Sequence, residues 1–294
     1  MASSNPAFNR IQKDARSGYA GFTDAPRSSG IANPYPGQFP QGQVPPGYPQ
    51  TGQVGADQLE DLYRQPSAGP VQTGRVTLDD VIMKTLSLFG IVMVLGAVGW
   101  YTASANPGAG MALWLGGMVG TLVLGLVIAM KKTLSVPLIL GYAVLEGLFL
   151  GAVSEFFNQA YQGIVAEAVL ATLATFTGMF LAYKSGLIKV TAKFRRIVTM
   201  MIFGYAIFAL VNVLYAVIGN NGWGFGGSGP VGILISLFAV GLAATTLALD
   251  FDSIDYAIRT GAPQKYSWLL AHGLIVTLVW LYIEFLRLLG RMRN

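Results

Sequence analysis

MALWLGGMVGTLVLGLVIAM, residues 111–130, runs for twenty positions without a charge and ends against Lys131 and Lys132. At 1.5 Å per residue a helix of this length is about 30 Å long, the thickness of a bilayer's hydrocarbon core. A helix also bonds its own backbone N–H and C=O groups where no water can. Working outward, six further segments have similar length and apolarity: Thr85–Ser104, Pro137–Phe157, Val165–Tyr183, Ile197–Ile218, Val231–Leu249 and Trp268–Leu289. The sequence therefore predicts an all-α, polytopic membrane protein, a seven-transmembrane-helix bundle with the lipid bilayer as its main partner. Glycines recur inside the segments, as at Gly116, Gly117, Gly120 and Gly125, and small residues let membrane helices approach closely.

Composition agrees. Hydrophobic residues make up 53% of the 294-residue chain and charged residues 11%, against about 25% charged in a soluble domain. The bias is uneven, because Asn33 to Gln53, NPYPGQFPQGQVPPGYPQTGQ, has recurrent Pro, Gly and Gln and no charge. Such a stretch cannot bury enough apolar surface to order itself, and residues 1–76 read as a disordered cytoplasmic tail. No apolar signal-peptide core precedes Leu86. The membrane domain, residues 77–294, opens at Thr77-Leu-Asp-Asp80, whose spacing is that of a helix capping box. Without cysteine, disulfides and thiolate chemistry are excluded. The isoelectric point near 9.4 does not imply nucleic acid, since the basic residues lie in short clusters between apolar runs.

Those clusters alternate. The second connection holds Lys131 and Lys132, the fourth Lys189, Lys193, Arg195 and Arg196, and the sixth Arg259 and Lys265, while the odd connections have no Lys or Arg. The positive-inside rule puts the even connections and the N-terminus in the cytoplasm, and seven crossings put the C-terminus outside. Arg287, Arg291 and Arg293 then stand as an exception near the outer face. The localisation that follows is multi-pass, with the N-terminus cytoplasmic and the C-terminus external.

Ionisable residues within spans are costly and default to functional candidates. Glu146 lies about nine residues past Pro137, near mid-bilayer, where a neutral acid bonded across helices is expected. Asp250, Asp252 and Asp255 close the sixth segment; 100° of rotation per residue puts Asp252 and Asp255 on one face and turns Asp250 away. The spacing lacks the glycine and distal glutamate of a calcium loop, and no metal-ligand set can be named. His272 and Asp250 are equidistant from Gly261, so an antiparallel hairpin predicts them at one depth as a proton-sensitive pair. Glu284 and Arg287 can pair at i, i+3.

Gly226-Gly-Ser-Gly229 with Ala271-His-Gly273 resembles rhomboid protease motifs, but Ser228 opens one helix and His272 opens the antiparallel next, which sets them near opposite faces. With no HExxH and no phosphate-binding loop, the chain reads as a non-enzyme without a cofactor.

Glu146-Gly-Leu-Phe-Leu-Gly151, Leu249-Asp-Phe-Asp-Ser-Ile254 and Trp280-Leu-Tyr-Ile-Glu-Phe-Leu-Arg-Leu-Leu-Gly290 resemble the Bax inhibitor one family, in its bacterial YccA-like branch, over Thr77 to Gly290. The resemblance implies a bacterial inner (plasma) membrane, seven helices with the last surrounded by the others, and a pH-sensitive calcium leak gated by two aspartates, one on each of the last two helices, that share a proton. Asp252 matches the first of these best and Asp250 second. The place of the other falls near Thr277, and His272 is expected to stand in for it. The second segment lacks the arginine that some relatives use as a latch. The alternative is a non-conducting regulator that binds a membrane protease or envelope partner, docked through its tail.

Overall fold

A computed structural model describes residues 74–131, 133–219 and 223–294; the predicted tail, up to residue 73, lies outside the described residues. Seven helices follow in order: α1 Leu78–Ala105, α2 Pro107–Met130, α3 Val136–Ala160, α4 Ile164–Lys184, α5 Ala192–Ile218, α6 Pro230–Arg259 and α7 Tyr266–Arg293. All seven are long and apolar enough to cross a membrane, and no strand occurs among the described residues.

Local chemistry sets the ends. Thr77 Oγ1 accepts from the Asp80 amide at 3.2 Å, Asn106 Oδ1 from Ala109 at 3.1 Å and Thr191 Oγ1 from Phe194 at 3.1 Å, each satisfying an amide the helix leaves open. Proline sits in the first turn of α2, α3 and α6, where its missing N–H costs nothing. The helices outrun the apolar segments. α6 continues ten residues past the expected end at Leu249 to Arg259, because hydropathy marks the membrane's edge whereas the helix stops at Gly261, in left-handed conformation.

α7 is the centre of the bundle, packed against α1, α3, α4 and α6 and buried over most of its length. α2 rests on α1 and α3, and α5 leans on α6. The outer helices turn large apolar side chains such as Met93, Leu122, Leu170, Phe203 and Leu210 outward, the arrangement a lipid solvent favours. Packed structure begins before Thr77. The Val76 amide donates to the Ala262 carbonyl at 2.8 Å and the Gln264 amide to that of Gly74 at 2.6 Å, so residues 74–76 clasp the α6–α7 turn.

The closest helix crossing is α1 on α3. A methyl group on Gly151 would overlap the Gly96 carbonyl, one on Gly99 the Leu148 carbonyl, and one on Gly147 would stand 2.7 Å from the Val92 oxygen. The glycines of Glu146-Gly-Leu-Phe-Leu-Gly151 are thus a packing seam, with backbone against backbone. Gly90, also on α1, faces open space. Gly151→Ala should cost about 1–3 kcal/mol by overpacking, read as a lower thermal midpoint in detergent, while Gly90→Ala leaves the midpoint level or slightly raised.

Candidate functional site

Polar side chains gather at two levels of the bundle. At the end that carries the α6–α7 turn, the three aspartates of α6 diverge to three helices. Asp252 is ion-paired with Arg195 of α5, and Asp255 accepts from the Tyr183 hydroxyl of α4 at 3.0 Å. Asp250 turns to the centre, where its carboxyl group meets the Thr277 hydroxyl of α7. Its Oδ2 is enclosed with no hydrogen-bond partner among the described residues. Thr277 is buried and its hydroxyl donates to the Gly273 carbonyl at 3.2 Å.

Two expectations are corrected here. His272 does not face Asp250 or Asp252; its ring lies edge-on to Tyr142 of α3, centroids 4.5 Å apart at 87°. The turn between Arg259 and Tyr266 centres near residues 262–263 rather than at Gly261, which moves the partner of Asp250 deeper along α7. Five residues separate His272 from Thr277, or about 140° of helix, so one faces α3 and the other α6. Glu146, expected to bond across helices, is buried beside Tyr142, one turn back on its own helix, and their side chains are hydrogen-bonded.

At the opposite end, Glu284 accepts from Tyr205 of α5 at 2.5 Å, from Trp280 Nε1 at 3.3 Å and from Arg287 at 3.4 Å. Ser154 and Tyr282 hydroxyls are 2.8 Å apart. Arg291 is almost wholly buried and bonds the Gly232 carbonyl, Ser236 Oγ at 2.9 Å and the Trp223 carbonyl at 2.9 Å. Arg293 reaches the Gln162 carbonyl at 2.9 Å and Glu167 at 2.5 Å. Of the C-terminal arginines that break the charge alternation, Arg291 and Arg293 are therefore fasteners between α7, the head of α4 and the head of α6, and Arg287 stays with Glu284 and Tyr205. Ser228 belongs to this end. His272 is 19 residues from Arg291 along α7, roughly 28 Å, so the serine and histidine do not meet.

A family model described as Bax inhibitor 1 like matches residues 5–294. The chain belongs to that family. No curated protein matches it. The family match extends N-terminal to the Thr77–Gly290 stretch on which the resemblance was read.

In this Bax inhibitor 1 like chain, the resembling segments have distinct jobs: the α3 segment supplies the glycine seam and Glu146, the α6 segment sends Asp250 to the core and Asp252 to α5, and the α7 segment ties Glu284 to Tyr205. Sequence reading singled out neither Tyr142 nor Tyr205 nor the burial of Arg291. The signal for Arg291 was present, since Glu284, Arg287 and Arg291 recur at i, i+3 and i+7 on one face. Arg291→Gln strands buried acceptors on two other segments and should cost about 3 kcal/mol, whereas Arg293→Gln, on a half-exposed pair, should cost under about 1 kcal/mol. Thermal midpoints of the purified variants check the order.

Proposed function

We propose that this protein is a membrane cation leak, carrying calcium, whose opening is set by pH through Asp250. The supporting observation is the contact of the Asp250 carboxyl group with Thr277 at the α6–α7 crossing. The Thr277 hydroxyl has one hydrogen and two acceptors, the Gly273 carbonyl at 3.2 Å and the ionised Asp250 carboxylate; a proton on Asp250 leaves that hydrogen to Gly273, and the acid donates to Thr277 Oγ1. Ionised, the carboxylate requires hydration that the crossing does not provide, and water enters between the helices. The path is closed in acid and open at higher pH. Thr277 takes the place of a second carboxylate, so one proton on one acid is the switch. His272, Tyr142 and Glu146 are the other titratable groups at this level on α7 and α3, and Asp252 is balanced by Arg195.

The basic even connections support a cytoplasmic N-terminus, with Ser228 and the C-terminus outside, and the resemblance to the YccA-like branch supports a bacterial inner membrane. On intact cells an impermeant thiol reagent should label Ser228→Cys and spare Thr133→Cys; the reverse inverts the orientation.

In calcium-dye-loaded proteoliposomes, wild type should show several-fold more flux at pH 8 than at pH 6. Asn donates to Thr277 without titrating, so Asp250→Asn should stay closed at both. Asp252→Asn and His272→Gln should keep the wild-type profile. A wild-type profile in Asp250→Asn removes Asp250 from the switch. Absence of flux at any pH overturns the leak and leaves the non-conducting regulator.

A further inference from the structure

Where the α2–α3 connection meets the α6–α7 turn, a cavity of about 310 Å³ opens at the end of the bundle. A lysine from each connection reaches it, Lys131 behind α2 and Lys265 ahead of α7, and the hydroxyl-bearing Thr133 and Ser135 line the wall between them. Among the described residues no carboxylate lines it, and the Lys265 ammonium also lies 5.3 Å from the Tyr266 ring centroid. Asp80, on the first turn of α1, is engaged elsewhere, by Gln264 Nε2 at 2.9 Å and Lys84 at 3.8 Å. Ser135 is the N-cap of α3 yet makes no side-chain capping bond, so its hydroxyl is not spent on the helix, and the positive end of the α3 dipole faces the same side.

The floor has the opposite character. Ile128, Leu138 and Leu269 extend the cavity toward hydrocarbon depth. The level is that of headgroups, because the apolar run of α2 ends at Met130 and that of α3 opens at Val136. A cationic, hydroxyl-lined mouth above an apolar floor, set between membrane helices, matches a phospholipid in both its parts. A free phosphate would use only the mouth.

We propose that this cavity binds the headgroup phosphate of an anionic phospholipid. Lys131 and Lys265 pair with its charge, the Thr133 and Ser135 hydroxyls donate to phosphate oxygens, and the first acyl methylenes lie on Ile128, Leu138 and Leu269. A bound lipid ties the α2–α3 connection to the α6–α7 turn and so bears on the helix pair that carries Asp250.

The test is titration of phosphatidylglycerol into the full chain held in phosphatidylcholine nanodiscs, with thermal midpoint and lipid retention in native mass spectrometry as readouts. Wild type should retain phosphatidylglycerol over phosphatidylcholine. The pair Lys131→Gln with Lys265→Gln should bind it on the order of 30-fold more weakly. Lys131→Arg with Lys265→Arg should keep the affinity, which separates lost charge from misfolding. Lys189→Gln with Lys193→Gln removes equal charge from another connection and should change nothing. Equal weakening in the two Gln pairs, or no preference for phosphatidylglycerol in wild type, overturns the site. Displacement of the lipid by millimolar inorganic phosphate would make it a free-anion site and overturn the lipid reading.

Discussion

Inside hydrocarbon a polar group finds hydrogen bonds only in the protein, and the bundle follows from that constraint. The backbone meets it by coiling into seven helices, each bonding itself. Apolar burial gives little drive to helix association where the solvent is itself apolar, so the inner contacts are made by close backbone approach, as along Gly147, Gly151, Gly96 and Gly99. Buried ionisable side chains meet the constraint in groups: Glu284 with Tyr205, Trp280 and Arg287, and Arg291 with two carbonyls and a hydroxyl. α7 supplies a member of each group, which is why the last helix occupies the centre.

Among the buried acids Asp250 stands apart in this scheme, while on Arg291 the Nε alone is without a partner among the described residues. Its Oδ2 is enclosed and without a partner among the described residues, and its neighbour Thr277 has one hydroxyl hydrogen to divide between Asp250 and the Gly273 carbonyl. Where Glu284 is surrounded by donors, Asp250 is short of one. A group whose bonding is complete in only one protonation state is suited to the switching proposed for it.

The helix count and the spans of the bundle were legible in the sequence because bilayer thickness prints itself as twenty-residue apolar runs. Helix ends were less so: Leu249 marks where the apolar run of α6 stops, but a helix ends where caps and glycine end it, at Gly261. Candidate residues were legible as a class, since an acid within an apolar run is conspicuous, and Glu146, Asp250 and Glu284 were each visible. Their partners were not. Partnership depends on hairpin register and helix phase, and a shift of about two residues in the turn centre exchanges His272 for Thr277. The C-terminal arginines read as a topological anomaly because sequence shows charge and hides burial; Arg291 is enclosed and bonded across helices.

Asp250 faces Thr277 across the α6–α7 crossing. The chain has no cysteine, so a pair of introduced cysteines reports a single distance. In purified protein, Asp250→Cys with Thr277→Cys should be joined by a short bifunctional thiol reagent, while Asp252→Cys with Thr277→Cys and Asp250→Cys with His272→Cys should not. Cross-linking of the 250–272 pair without that of the 250–277 pair would contradict this register of the α6–α7 hairpin.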